Sequence, residues 1–97
     1  MAKGYWIGNM DVKDAAVYDT YRAANAQPFK EYGAKFLVRG GKQETREGAL
    51  HSRTVVIEFA SYADAVACYD SDAYQAAKAI RLPVAEGNLM IVEGYDG

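Results

Sequence analysis

Arg39 ends the apolar run Phe36-Leu37-Val38 and is followed at once by Gly40-Gly41. A guanidinium is a permanent cation with a planar fork of donors, shaped to clamp a carboxylate or another oxyanion. A glycine pair beside it lets a ligand or a backbone come close. An ion pair between Arg39 and Glu58 or Glu93, with a glycine bulge, explains the same residues, and the sequence leaves both readings open. His51 is the single histidine, and an imidazole's unshifted pKa suits general acid–base work near neutrality. The plainer account is a solvated loop histidine. Arg39 and His51 are the catalytic candidates. For ligand binding, Arg39 is joined by Tyr21, Tyr69 and Arg81. The hydroxyls of Tyr21 and Tyr69 would meet a bound carbonyl, unless both are core rings with a hydrogen-bonded tip. Arg81 follows Tyr74 by two helical turns, so both lie on one face. It would pair with a ligand acid or brace a helix end. Cys68 has no second cysteine, and reads as a small buried filler rather than a nucleophile.

Other chemistries lack their residues. There is no pair of histidines, no cysteine cluster and no clustered acidic motif, so no metal site is expected. No glycine-rich loop opens a helix and no serine nucleophile elbow occurs, so no nucleotide or other cofactor is expected. Eleven basic residues face 13 acidic ones, a net charge of -2 without a basic stripe, which argues against a nucleic-acid partner. No apolar run reaches the length of a membrane span, and the opening residues lack a signal-peptide core. With one cysteine, the expected compartment is the cytoplasm.

The candidates must be held by a small set of elements in one domain, residues 1–97. A first strand is expected over Gly4 to Val12, with Trp6, Met10 and Val12 on one face and Tyr5 and Ile7 on the other. A helix follows an N-cap in Asp11 to Asp14, with Val17, Tyr21 and Ala24 on its core face and Tyr18, Arg22 and Asn25 beside them. Pro28 should end or kink it near Ala26. One more turn over Phe29 to Tyr32 can follow, and Gly33 suits the left-handed residue after a helix end. Lys35 to Arg39 reads as a buried strand, Lys42 to Glu47 as a ragged strand or hairpin arm, and residues 48–52 as a loop. Arg53 to Phe59 is the third strand, with Val55, Ile57 and Phe59 sharing a face. Ser61 with Asp64 resembles a capping box, opening a helix with Ala63, Val66 and Ala67 on its apolar face. Asp70-Ser71-Asp72 interrupts it before further turns through Tyr74, Ala77 and Ile80. Pro83 sets the stop, Gly87 the reversal, and Leu89 to Tyr95 the last strand. The order βαββαβ is the ferredoxin-like α+β plan, a four-stranded antiparallel sheet with helices on one face. Apolar residues on both faces of the strands then call for a second subunit, a homodimer, to cover the other face.

Tyr32-Gly33, Phe36-Leu37-Val38-Arg39-Gly40-Gly41, Val55-Val56-Ile57-Glu58-Phe59, Ser61 and Tyr69-Asp70-Ser71-Asp72-Ala73-Tyr74, with Arg81 beyond and Lys3-Gly4-Tyr5-Trp6 ahead, resemble the domain-of-unknown-function 1330 family. The resemblance spans nearly the whole chain. It implies a dimeric α+β barrel, the superfamily that also holds cofactor-free monooxygenases and muconolactone isomerases, and it implies no established activity. Ala60 stands where that family commonly has proline, and Cys68 where it commonly has tryptophan. The second departure would enlarge or reshape a pocket beside Tyr69. The expected function is therefore binding of a small anionic or carbonyl compound, by a cofactor-free enzyme of isomerase-like or monooxygenase-like type. The alternative is a non-catalytic ligand sensor or structural dimer.

Overall fold

Asp14 opens the first helix by accepting the Val17 N–H on its side chain at 3.1 Å, and Ser61 opens the second in the same way from Asp64 at 3.1 Å. These caps satisfy donors that a helix start leaves bare. In a computed structural model, which describes residues 2–97, the elements follow in the expected order. They are β1 (Gly4–Val12), α1 (Ala15–Glu31), β2 (Lys35–Arg39), β3 (Arg53–Phe59), α2 (Tyr62–Asp70), α3 (Asp72–Arg81) and β4 (Ala85–Glu93). The strands form one antiparallel sheet in the order β2-β3-β1-β4, the ferredoxin-like arrangement. Ser71 splits the second helical segment in two. Its hydroxyl donates to the Cys68 carbonyl at 2.7 Å and accepts from the Tyr74 N–H at 3.2 Å, ending α2 and starting α3.

The core follows from strand alternation. Trp6, Gly8 and Met10 of β1 turn inward while Tyr5, Ile7 and Asn9 turn outward. Trp6 is 1% exposed, and its indole N–H donates to the Ala65 carbonyl at 2.8 Å, fixing α2 to the sheet. Rings pack around it edge to face, Tyr74 at 4.8 Å and Phe29 at 5.2 Å between centroids.

The outer face has no helix over it. Val38, Val56, Ile7 and Met90 fall on one row across all four strands, and Met90 is 56% exposed.

Several local expectations are corrected. Helix α1 does not stop near Ala26 but runs through Pro28 to Glu31. The proline ring is buried in the core, and its carbonyl accepts from the Tyr32 N–H at 3.1 Å, so packing outweighs the missing N–H. The core face of α1 is rolled toward Tyr18, Tyr21, Asn25 and Phe29, which buries rings in place of Val17 and Ala24. On α2 the buried residues are Ala65 and Cys68, while Ala63 and Ala67 are exposed; the Trp6 bond to Ala65 sets that roll. Strand β2 is an edge, not a buried strand: only Phe36 is half-buried, and a register shift falls between Phe36 and Val38. Residues 41–52 form no strand. Strand β4 starts four residues before Leu89 and ends at Glu93, so Gly87 lies within it, opposite Met10. The Lys13 N–H donates to the Val84 carbonyl at 2.7 Å, carrying the pairing back toward Pro83. Gly33 has φ +71, the left-handed conformation expected of it.

Candidate functional site

The helical spacing of α1 aims Tyr18, Tyr21, Arg22 and Asn25 at the sheet, and a cavity of about 50 Å³ lies between them and the strands. Its floor is opened by Gly8, where an added Cβ would meet nothing closer than Leu89 Cδ1 at 3.6 Å. Strand β3 supplies Arg53 by alternation with Val55 and Ile57, β2 supplies Arg39, and α3 supplies Tyr74 and Arg81. The volume holds a few waters or one small functional group. A wider cleft of about 300 Å³ lies outside, lined in part by Val12, Asp19 and Ser52; Tyr18, Arg22 and Arg53 line both spaces.

Four guanidiniums, from Arg22, Arg39, Arg53 and Arg81, line the inner cavity, and no aspartate or glutamate does. Arg81 is 6% exposed. Its Nη1 donates to Met10 Sδ at 3.8 Å, and its Cζ stands 5.7 Å from the centre of the Tyr21 ring. Burial works against its charge, but the surrounding tyrosines, Tyr74 first, raise its pKa overall, so Arg81 stays a cation. The Tyr21 and Tyr74 hydroxyls bond each other at 2.9 Å. Burial raises both phenols, so both are neutral at pH 7. The inner end is therefore one buried cation beside two neutral hydroxyls, apt for a carboxylate or a carbonyl that gains negative charge.

Arg39 sits at the exposed rim with its guanidinium 4.2 Å over the Phe36 ring. The ion pair with Glu58 or Glu93 does not occur; Glu58 instead takes Lys3 at 3.9 Å and the Tyr5 hydroxyl at 3.1 Å, on the outer face. The bulge is at Leu37, not at the glycine pair. Gly40 has φ +68, and its missing Cβ leaves the space that the Arg53 guanidinium fills. A protein side chain, not a ligand, uses that glycine. Arg53 Cζ also stands 5.4 Å from the centre of the Tyr18 ring.

The other candidates lie elsewhere. His51 Nδ1 is 2.8 Å from Asp11 Oδ2, its N–H donates to Asn9 Oδ1 at 2.8 Å, and its carbonyl accepts from Asn9 Nδ2 at 3.0 Å. Asn9 and Asp11 alternate with the inward residues of β1, so His51 is held on the opposite face of the sheet. The His51 ring and the Ser52 N–H hold the Asp11 carboxyl down to about 2. Tyr69 packs behind the cavity wall, 5.7 Å from Trp6 and 5.4 Å from Tyr74 between centroids, with Lys78 Nζ 5.1 Å from its ring. Cys68 is fully buried 3.7 Å from the Pro28 carbonyl and does not line the cavity. Burial, with a lesser effect of Glu31, pushes its thiol up to about 12, so it is no nucleophile at neutral pH. Of the sequence candidates, the fold brings together Tyr21, Arg39 and Arg81.

Arg22, Arg53, Tyr18 and Asn25 are site residues that the sequence does not mark as such. The signal for Arg53 was present: it shares a face with Val55, Ile57 and Phe59 by strict alternation. Tyr18, Arg22 and Asn25 share one helix face by spacing, but nothing in the sequence says that this face turns inward.

Among the described residues, no group of three or more His, Cys, Asp or Glu side chains is placed to hold a metal ion, and no helix is long and apolar enough to cross a membrane. The profile of the family described as Domain of unknown function (DUF1330) matches residues 3–95. No curated protein matches the chain. Among solved structures, a protein of unknown function from Rhodopseudomonas palustris superimposes with a TM-score of 0.73 at 15% identity, over 95% of this chain and 80% of that one. SnoaB, a cofactor-independent oxygenase from Streptomyces nogalater, gives 0.65 at 8% identity, over 100% and 97%. A dimeric ferredoxin-like protein of unknown function from Thermobifida fusca gives 0.60 at 15% identity, over 95% and 89%. These identities speak for the fold alone.

Proposed function

We infer that this chain, which belongs to the DUF1330 family, binds a small anionic or carbonyl compound in the arginine-lined cavity between helices and sheet. One observation carries the reading: four guanidiniums line the cavity and no carboxylate does. A buried cation without an acidic partner is costly, and an anionic ligand supplies the missing charge. Arg81 would grip the oxyanion, whichever of the Tyr21 and Tyr74 hydroxyls does not donate to the other would donate to it, and Arg39 would close the rim.

Cofactor-free oxygenation or isomerase-like proton transfer fits this equipment in one respect. Fixed donors in a water-poor site stabilise an enolate or phenolate as its charge develops. The lining holds no histidine, cysteine, lysine or carboxylate to act as general base, and His51 is on the other face. An enzyme of this design would act on a substrate acidic enough to ionise beside Arg81. The same lack favours the second reading, a non-catalytic ligand sensor. We further propose a homodimer through the row Val38, Val56, Ile7 and Met90, since a four-strand apolar face is more than monomers usually leave bare.

A thermal-shift screen of small carboxylates, phenols and lactones tests the binding claim on wild type, Arg39→Ala and Arg81→Gln. A ligand at a hundred times its Kd adds about 2.7 kcal/mol, roughly 10–20 °C for a domain of this size. The expected result is a compound that stabilises the wild type and loses most of its effect in both variants. If no compound of the three classes shifts the wild type, the cavity is packing and not a site. Light scattering tests the dimer, which a monomeric mass at micromolar concentration would refute.

A further inference from the structure

With one anion placed at Arg81, the throat of the cavity is still unaccounted for. Tyr18, Arg22 and Arg53 separate the inner cavity from the outer cleft and line both. The Nε atoms of Arg22 and of Arg53 are buried, and neither has a hydrogen-bond partner. A buried donor on a charged group is the kind most costly to leave bare. Each guanidinium is also held from another side. Arg22 Nη1 donates to Asp19 Oδ1 at 3.3 Å, and Arg53 stands over Tyr18 with Nη1 packed where a Gly40 Cβ would be. The free Nε edge is the side of the fork that holds a carboxylate through two parallel bonds.

We propose that Arg22 and Arg53 form a second anion subsite at the throat, and that the ligand class is a short dicarboxylate. One carboxylate reaches Arg81 and the other lies between the two Nε donors. This extends the reading of the inner cavity as an anion site and rests on it. The volumes agree with that division. About 50 Å³ inside admits a planar two-oxygen head, and about 300 Å³ outside leaves room for the rest. A monoanion at Arg81 would leave both throat donors bare. A tetrahedral dianion would put all its charge at one end and satisfy only one subsite. Gly40 is a positioning residue: its positive φ and missing Cβ let Arg53 lie across the throat.

Calorimetric titration at pH 7 of succinate and glutarate, each against its monomethyl ester, is the test. Wild type, Arg53→Gln and Arg22→Gln are compared, each first checked for a native melting transition. The wild type should bind the diacid at least about tenfold more tightly than the monoester, the size of one charge-assisted contact. In Arg53→Gln that preference should fall below about twofold, with the diacid losing more affinity than the monoester. If Arg53→Gln does not fold, Arg22→Gln gives the same reading from the other side of the throat. Equal affinities for diacid and monoester in the wild type would overturn the second subsite and leave the anion cavity standing. A tenfold preference that survives in both variants would also overturn the throat assignment. If neither diacid nor monoester binds the wild type, the inner-cavity reading falls as well.

Discussion

Replacing Arg81 with methionine should raise the melting temperature of the ligand-free protein. Arg81 is 6% exposed. Its packing partners are a thioether at 3.8 Å and an aromatic ring at 5.7 Å, and no carboxylate bridges it among the described residues. Methionine keeps a flexible apolar stem of similar reach, so little packing is lost. The Tyr74 hydroxyl loses its interaction with Arg81 but keeps its bond to the Tyr21 hydroxyl at 2.9 Å, so it still has a partner. What disappears is the desolvation of a charge. Exchanging buried charge for apolar volume gains about 1–4 kcal/mol elsewhere; the low end, about 1–2 kcal/mol, suits a cation already beside two hydroxyls. At roughly 4–8 °C per kcal/mol for a chain of this size, the gain is on the order of 4–16 °C. Calorimetric melting at pH 7 without ligand measures it. A variant that melts several degrees below wild type would show that Arg81 braces the fold, and the cavity would lose the cation on which its reading depends.

Gly8→Ala should also stabilise, by roughly 0.5–1 kcal/mol, because the new methyl meets only Leu89 at ordinary contact distance and the unfolded chain loses freedom. The methyl narrows the cavity, so the same variant should show a smaller ligand-induced shift in the thermal screen. Asp11 gives a pH prediction. Its folded pKa is held down to about 2 by His51 first and Ser52 second. A depressed carboxyl stabilises above its unfolded value and loses that contribution as pH falls through the folded one, here between about 4 and 2. The exchange protection factor of the Ser52 amide, which donates to Asp11, should fall over that window in wild type and be low throughout in Asp11→Asn; a wild-type protection factor that stays constant from about pH 5 to about pH 2 would refute it.

The fold was largely legible because its signals are periodic. Alternation in Gly4 to Val12 and Arg53 to Phe59, helix caps at Asp14 and Ser61, and the break at Ser71 are local and survive packing. What the sequence did not settle was rotation. Neither α1 nor α2 shows its roll in its own pattern, since that roll is set by distant partners: Trp6 reaching Ala65, and Tyr18 and Phe29 competing with smaller residues for the core. The site suffered most from this. Tyr21 and Arg81 were found because they lie on the buried side at either roll. Arg22 and Asn25 came in only with the rotation. His51 has suitable chemistry, but strand parity sent its partners Asn9 and Asp11 to the other face.

Trp6 is the chain's only tryptophan, and it both anchors the core and lines the cavity. Four aromatic rings stand within 4.8–5.7 Å of it, close enough for tyrosine excitation to reach the indole. The protein thus carries its own optical probe. A carboxylate arriving near Arg81, a loosened helix and an unfolded chain would each alter the emission of this one fluorophore in a different way. Occupancy and stability can then be followed in one cuvette without a label.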